Sequence, residues 1–221
     1  MSMTRRHFHA CLLGALGAAL VPAARAADLV EGRDWRALSP PQPSTNAERI
    51  EVVEFFSYGC PHCADLNPLI TAWAQRLPGD VEFQRVPVTF GRAAWASLAR
   101  LYFALRFEGA LERLDQAVFD AVTKQRVNLF TEKGILAWVA ERGLDREGFA
   151  ALLQSFEVEN ALARANALAK RFAVDAVPRI VVDGRYVVVG AAARGQEEML
   201  LIADQLIDKA RKERGAGQAP G

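Results

Sequence analysis

The chain has 221 residues, of which 51% are hydrophobic and 24% charged, with a formal net charge of +1. That composition suits a soluble globular protein with one good core, or one domain carrying an inserted one. A balance so near neutrality excludes a strongly basic chain and gives no argument for nucleic acid or an anionic membrane surface as partner.

The N-terminus departs from this average. Arg5 and Arg6 form a positive start, Ala10 to Val21 is an apolar run, and Ala24-Arg25-Ala26 supplies a small-x-small cleavage pattern. A run of about a dozen apolar residues is too short for a stable bilayer anchor, so residues 1–26 read as an export signal with a mature start at Ala27. Thr4-Arg5-Arg6-His7-Phe8 brushes against a twin-arginine signal, which leaves the export route open. Cys11 precedes the apolar run and so does not read as a lipoprotein cysteine. Loss of the signal removes three arginines and no acid, leaving a formal charge of −2. No later stretch is long and charge-free enough to span a membrane. The expected address is therefore a bacterial periplasm, where disulfides persist.

Residues 27–48 read as an irregular, extended lead-in with a proline-rich stretch, Ser39 to Ser44, held to the body by Trp35 and Leu38. Ile50 to Phe56 is β-branched and aromatic and reads as a buried strand. A helix is expected from Cys60-Pro61-His62-Cys63, with Pro61 at its first position. Leu66, Leu69, Ile70, Trp73 and Leu77 follow at helical spacing, and Pro68 is expected to kink the helix. Val81 to Val88 reads as a second strand, parallel to the first because a helix joins them. From Gly91 to Phe172 apolar residues recur at three and four, implying four or five helices. Gly109, Asn128, Gly134 and Gly143 read as breakers, and Thr131 and Asp145 as N-caps. Asp183-Gly184 between two β-rich runs is a hairpin signal. Gln196 to Arg211 reads as a last amphipathic helix, and Gly215 to Gly221 as disordered. The order β-α-β, helical insert, β-β-α defines an α/β fold with a mixed central sheet and helices on both faces.

The segment Cys60-Pro61-His62-Cys63 holds every cysteine and histidine expected to survive maturation. Cysteine reacts as the thiolate. At a helix start, unpaired backbone N–H groups and the positive end of the dipole favour that form. Cys60 is thus the expected exposed attacking and leaving sulfur, and Cys63, one turn on and buried, its resolving partner. His62 between them can hydrogen-bond the thiolate or add positive charge, which stabilises the dithiol and makes the disulfide more oxidising.

Other chemistries fit less well. A closed Cys/His zinc site needs four ligands, and the mature chain has no second pair. A Cu(I) site on two thiolates stays open. A cysteine hydrolase needs a histidine from elsewhere in the fold, and the mature chain has none besides His62. A structural disulfide across so short a loop stabilises little. Redox catalysis by a Cys60–Cys63 disulfide, with no metal and no bound cofactor, is the expectation.

Glu54 to Cys63, read together, resembles the active-site segment of the DsbA family of periplasmic thiol oxidases, which share a thioredoxin-like fold. The resemblance extends over about residues 48–212. Its further marks are the helical insert, Ala94-Trp95-Ala96 near its start, and Ala176-Val177-Pro178 before the hairpin. It implies that Val177 and Pro178 form a substrate-binding loop with a cis proline beside the catalytic cysteine. It makes Glu54, a lone acid in an apolar strand, a buried carboxylate that tunes proton transfer at Cys63. Arg85 aligns with a family lysine that pairs with that acid, but arginine cannot surrender its proton, so only charge balance carries over. Gly59 replaces a bulky residue and is expected to widen the approach to Cys60. Pro68 is a departure towards thioredoxin.

The implied partners are unfolded exported proteins with free cysteines and a quinone-linked membrane oxidase of the DsbB type, with no nucleic acid and a monomeric state. The implied organisation is a signal (1–26), an extended lead-in (27–48), a thioredoxin-like domain in two parts (49–90 and 173–213), a helical insert (91–172) and a disordered tail (214–221). A disulfide reductase or isomerase is the nearest alternative activity, and a peptide- or Cu(I)-binding module the alternative outside catalysis.

Overall fold

The computed structural model describes residues 29–189, apart from 45 and 47, and residues 195–217. The expected signal, with Arg5, Arg6, Cys11 and the cleavage site, lies outside the described residues. In chain order the elements are β1 (Trp35–Ala37), β2 (Ile50–Phe56), α1 (Pro61–Ala74), β3 (Val81–Pro87), α2 (Ala93–Phe107), α3 (Leu111–Thr123), α4 (Glu132–Ala140), α5 (Arg146–Leu153), α6 (Phe156–Arg171), β4 (Arg179–Val182), β5 (Tyr186–Val188) and α7 (Gln196–Gly217).

The five strands form one mixed sheet in the order β1-β5-β4-β2-β3. β2 and β3 are parallel, with Glu54 opposite Arg85. β4 runs antiparallel to both β2 and β5. The central strand β2 is buried at all seven positions, so successive side chains feed two cores. Ile50 and Val52 join Leu66, Ile70, Leu206 and Ile207 under α1 and α7. Val53 and Phe55 pack with the helical insert, against residues such as Phe103, Leu162 and Phe172. The sheet is thus covered on both faces.

Five helices, α2 to α6, separate β3 from β4. Thr131 caps α4 and Asp145 caps α5, each side chain accepting the N–H of the glycine three residues on. Gly134 is therefore no breaker: it is the third residue of α4, and a Cβ there would lie 1.9 Å from the Asn128 carbonyl oxygen. Asp183 and Gly184 both adopt left-handed φ values, 56° and 62°, the geometry of the tight hairpin joining β4 to β5.

The structure corrects two boundaries. The lead-in is not irregular throughout, because Trp35–Ala37 pairs antiparallel with β5 and forms the edge of the sheet. The Leu38 and Gln42 amides then donate to the Arg185 and Gly184 carbonyls, carrying the lead-in along the hairpin. The expected tail from 214 is helical as far as Gly217. Arg214 holds it, donating to the carboxylate of buried Asp183 and to the Arg49 carbonyl. Among the described residues no helix is long and apolar enough to cross a membrane.

Candidate active site

The two cysteines sit where β2 hands over to α1. Cys60 is the N-cap of α1, with extended backbone (φ −106°, ψ 115°) and no side-chain cap, and Pro61 follows at the first helical position. The uncapped helix start leaves backbone donors facing the Cys60 sulfur. Both cysteines are free thiols. Cys63 is fully buried and Cys60 keeps 7% of its surface. Cys60 is therefore far less open than expected, because the turn before it and the loop before β4 close over it. The Cys60 Sγ lies 3.4 Å from the Val177 carbonyl oxygen. The Val177–Pro178 peptide is cis, and both residues are half-buried beside the sulfur.

The environment separates the two thiols. A hydrogen bond from Cys63 lowers the Cys60 pKa, helped against desolvation by the backbone N–H groups of Cys63 and His62 and by the His62 charge; the result is about 6. Burial pushes the Cys63 thiol far up, reinforced by the bond to Cys60 and by the negative charges of Cys60 and Glu54. His62 itself is exposed on the first turn, and its carbonyl accepts from Gln196 at 2.6 Å, which ties α7 to the start of α1.

Gly59 does not widen the approach to Cys60. A Cβ at this position would lie 2.9 Å from the Trp95 indole nitrogen, so the insert's tryptophan occupies the space a larger residue would take. Trp95 in turn packs against Phe90, which is 37% exposed, and under the Arg92 guanidinium. The result is an aromatic shelf reaching from the insert to the turn that carries Cys60.

Beneath the motif lies a buried polar chain. Glu54 is completely buried and accepts from Arg85 Nε at 2.5 Å. Arg85 Nη1 donates to Asp115 Oδ2 at 2.7 Å, and Tyr58 Oη donates to Asp115 Oδ1 at 2.5 Å. The Arg85 guanidinium also lies 4.3 Å from the Phe56 ring centroid. Desolvation raises the Glu54 pKa against the opposing pull of Arg85. Tyr58 and Asp115 escape a reading confined to the motif. The signal for Asp115 is present in the sequence: it falls inside the apolar stripe Leu111, Leu114, Val118, Phe119, Val122, and only a paired acid is tolerated on such a face.

A thioredoxin-like sheet carrying one helix-capping thiolate, one buried thiol and a cis-proline loop beside them defines a thiol:disulfide oxidoreductase. Comparison with known proteins gives the family. The profile described as a DSBA-like thioredoxin domain matches residues 51–201. The thiol:disulfide interchange protein DsbA of Pseudomonas aeruginosa is 38% identical over 189 residues, 86% of this chain and 89% of that protein. Its namesake in Bordetella pertussis is 38% identical over 178 residues, 79% and 83% of the two chains. Among solved structures, Pseudomonas aeruginosa DsbA superposes with a TM-score of 0.79 at 36% identity, covering 88% of this chain and 99% of that one. The oxidoreductase DsbA from Xylella fastidiosa gives 0.75 at 32%, covering 83% and 98%. The chain belongs to the DsbA family.

Proposed function

We propose that this protein is exported to the periplasm and there donates a Cys60–Cys63 disulfide to newly exported proteins. A client thiolate attacks the Cys60 sulfur, and the disulfide breaks with its electron pair on Cys63. Cys63, whose surroundings strongly disfavour the anion, takes up a proton. A second client thiolate then attacks the client's sulfur in the mixed disulfide, and Cys60 leaves as a thiolate. The client gains one disulfide, and the protein gains two electrons as a dithiol. The observation that carries this reading is the Cys60 sulfur at the uncapped start of α1 beside the Val177 carbonyl, where its lowered pKa favours the dithiol and so makes the disulfide oxidising.

In this scheme Glu54 is the proton carrier for Cys63 and Arg85 supplies its charge balance. His62 adds to the stabilisation of the Cys60 thiolate, and Pro61 sets the helix start. Val177 and Pro178 offer backbone to the client chain, and the shelf of Phe90 and Trp95 receives its apolar side chains. The resulting dithiol is returned to the disulfide by a quinone-linked membrane oxidase of the DsbB type, and the protein acts as a monomer without a bound cofactor. Equilibration with glutathione tests the direction of the chemistry: an oxidising reduction potential is expected, and a value near that of thioredoxin defeats it. Cys60→Ser is expected to abolish disulfide formation in a reduced client, whereas Cys60→Ser protein that still supports it overturns the role of this sulfur.

A further inference from the structure

The buried pair Glu54–Arg85 is joined in an unusual way. A guanidinium and a carboxylate side by side normally close a two-bond fork, Nε and one Nη against both oxygens. Here only Nε reaches Glu54, at Oε2. Glu54 Oε1 and Arg85 Nη2 are both buried and both lack a hydrogen-bond partner, although these two atoms would complete the fork. The other end of the guanidinium is engaged, with Nη1 on Asp115 Oδ2 at 2.7 Å. Asp115 is itself held in place, since Tyr58 Oη donates to its other oxygen. Asp115 belongs to α3, within the helical insert, while Glu54 and Arg85 belong to the sheet.

We infer that Asp115 is a positioning residue that splits the Glu54–Arg85 fork and so keeps one Glu54 oxygen free to carry a proton. Two carboxyl groups then share one buried cation. The charged and titratable groups around Glu54 are Arg85 from β3, Asp115 from α3, Cys63 from α1 and Tyr102 from α2, with Tyr58 from the turn between β2 and α1 tied to Asp115 behind them; β4 places Ile180 opposite it. Of these only Arg85 is a cation. Asp115 acts on Glu54 twice, by its own charge and by holding the guanidinium through Nη1, outside the fork, so that Nη2 stays off Oε1. Both effects favour the protonated form of Glu54. The insert thereby sets the proton affinity of a group in the sheet. The inference rests on the proposed proton role of Glu54 only for its catalytic meaning, not for its geometry.

The test is the titration of Glu54 in the reduced, full mature chain, followed by isotope-edited carboxyl NMR and assigned through Glu54→Gln. In Asp115→Asn the amide still accepts from Tyr58 but no longer attracts Arg85. The guanidinium closes on Glu54, and the titration midpoint is expected to fall by about one pH unit or more. Tyr58→Phe leaves the Asp115 charge with Arg85 as its sole partner, strengthens that bond and moves the midpoint the opposite way. An unmoved midpoint in folded Asp115→Asn overturns the inference. So does a lowered or unmoved midpoint in Tyr58→Phe, a variant that keeps its ring in the core should the first fail to fold. Client oxidation rates are read separately. A midpoint that falls in Asp115→Asn with no loss of rate defeats the proton role of Glu54 and leaves the positioning role of Asp115 standing.

Discussion

At the scale of single residues, the two sulfurs differ because one caps a helix and the other lies inside it. With a pKa of about 6, Cys60 is about nine-tenths thiolate at neutral pH. The largest cause is the hydrogen bond from Cys63, with the backbone N–H groups of the helix start adding to it. Cys63→Ala is therefore expected to raise the Cys60 midpoint by about one pH unit, and Cys63→Ser by less, because a hydroxyl still donates. Ultraviolet absorbance of the thiolate against pH measures both. An unchanged midpoint in the alanine variant would assign the acidity to the helix start alone. The sequence made the asymmetry readable, since Pro61 fixes which cysteine caps the helix. It did not show how little of Cys60 stays open, because the Val177 carbonyl that covers it lies 117 residues away in the chain.

At the scale of elements, short-range chemistry was legible and edge pairing was not. The caps at Thr131 and Asp145, the parallel β2–β3 pair and the Asp183-Gly184 turn all follow from local rules. Gly184 is the most constrained of these, since its φ is 62° and a Cβ there would lie 2.3 Å from the Gln42 carbonyl oxygen. Gly184→Ala is expected to destabilise the protein by about 2 kcal/mol or more in urea unfolding, through a left-handed backbone and a forced shift of the lead-in. β1 was missed because three residues, Trp35-Arg36-Ala37, are too few to show a period of two. The last turns of α7 were missed because a run such as Arg211-Lys212-Glu213-Arg214-Gly215 has the composition of a solvated tail. Ion pairs to Asp80 and Asp183 turn part of that charge inward. Gly59 misled for a related reason: a missing side chain signals space, and only the packed fold shows that Trp95 fills it.

At the scale of the whole molecule, the redox state and the folding free energy are coupled through one proton. The lowered Cys60 pKa stabilises the folded dithiol once the folded thiol is ionised and the unfolded one is not. That contribution is fully present above 9.0 and lost as pH falls through about 6. The disulfide form has no such titration. The stability of the reduced protein minus that of the oxidised protein should rise steadily between those limits, as measured by urea unfolding of both forms. A flat difference would mean that Cys60 titrates alike in the folded and unfolded chains. The edge of the sheet carries a different consequence. A protein that meets unfolded chains risks serving as their template, because a bare strand edge pairs with any extended backbone. β1 occupies the outer edge of β5, and the amides of Leu38 and Gln42 are already bonded to the hairpin. Deleting residues 29–44 is expected to increase co-aggregation with a reduced, unfolded client, measured by light scattering; equal scattering would count against this role. With β5 paired, the edge left on that side of the sheet is only three residues long. A client that engages Cys60 and the Val177–Pro178 loop as proposed therefore meets little ladder to extend there, and transfer of the disulfide would leave nothing at that edge to hold it.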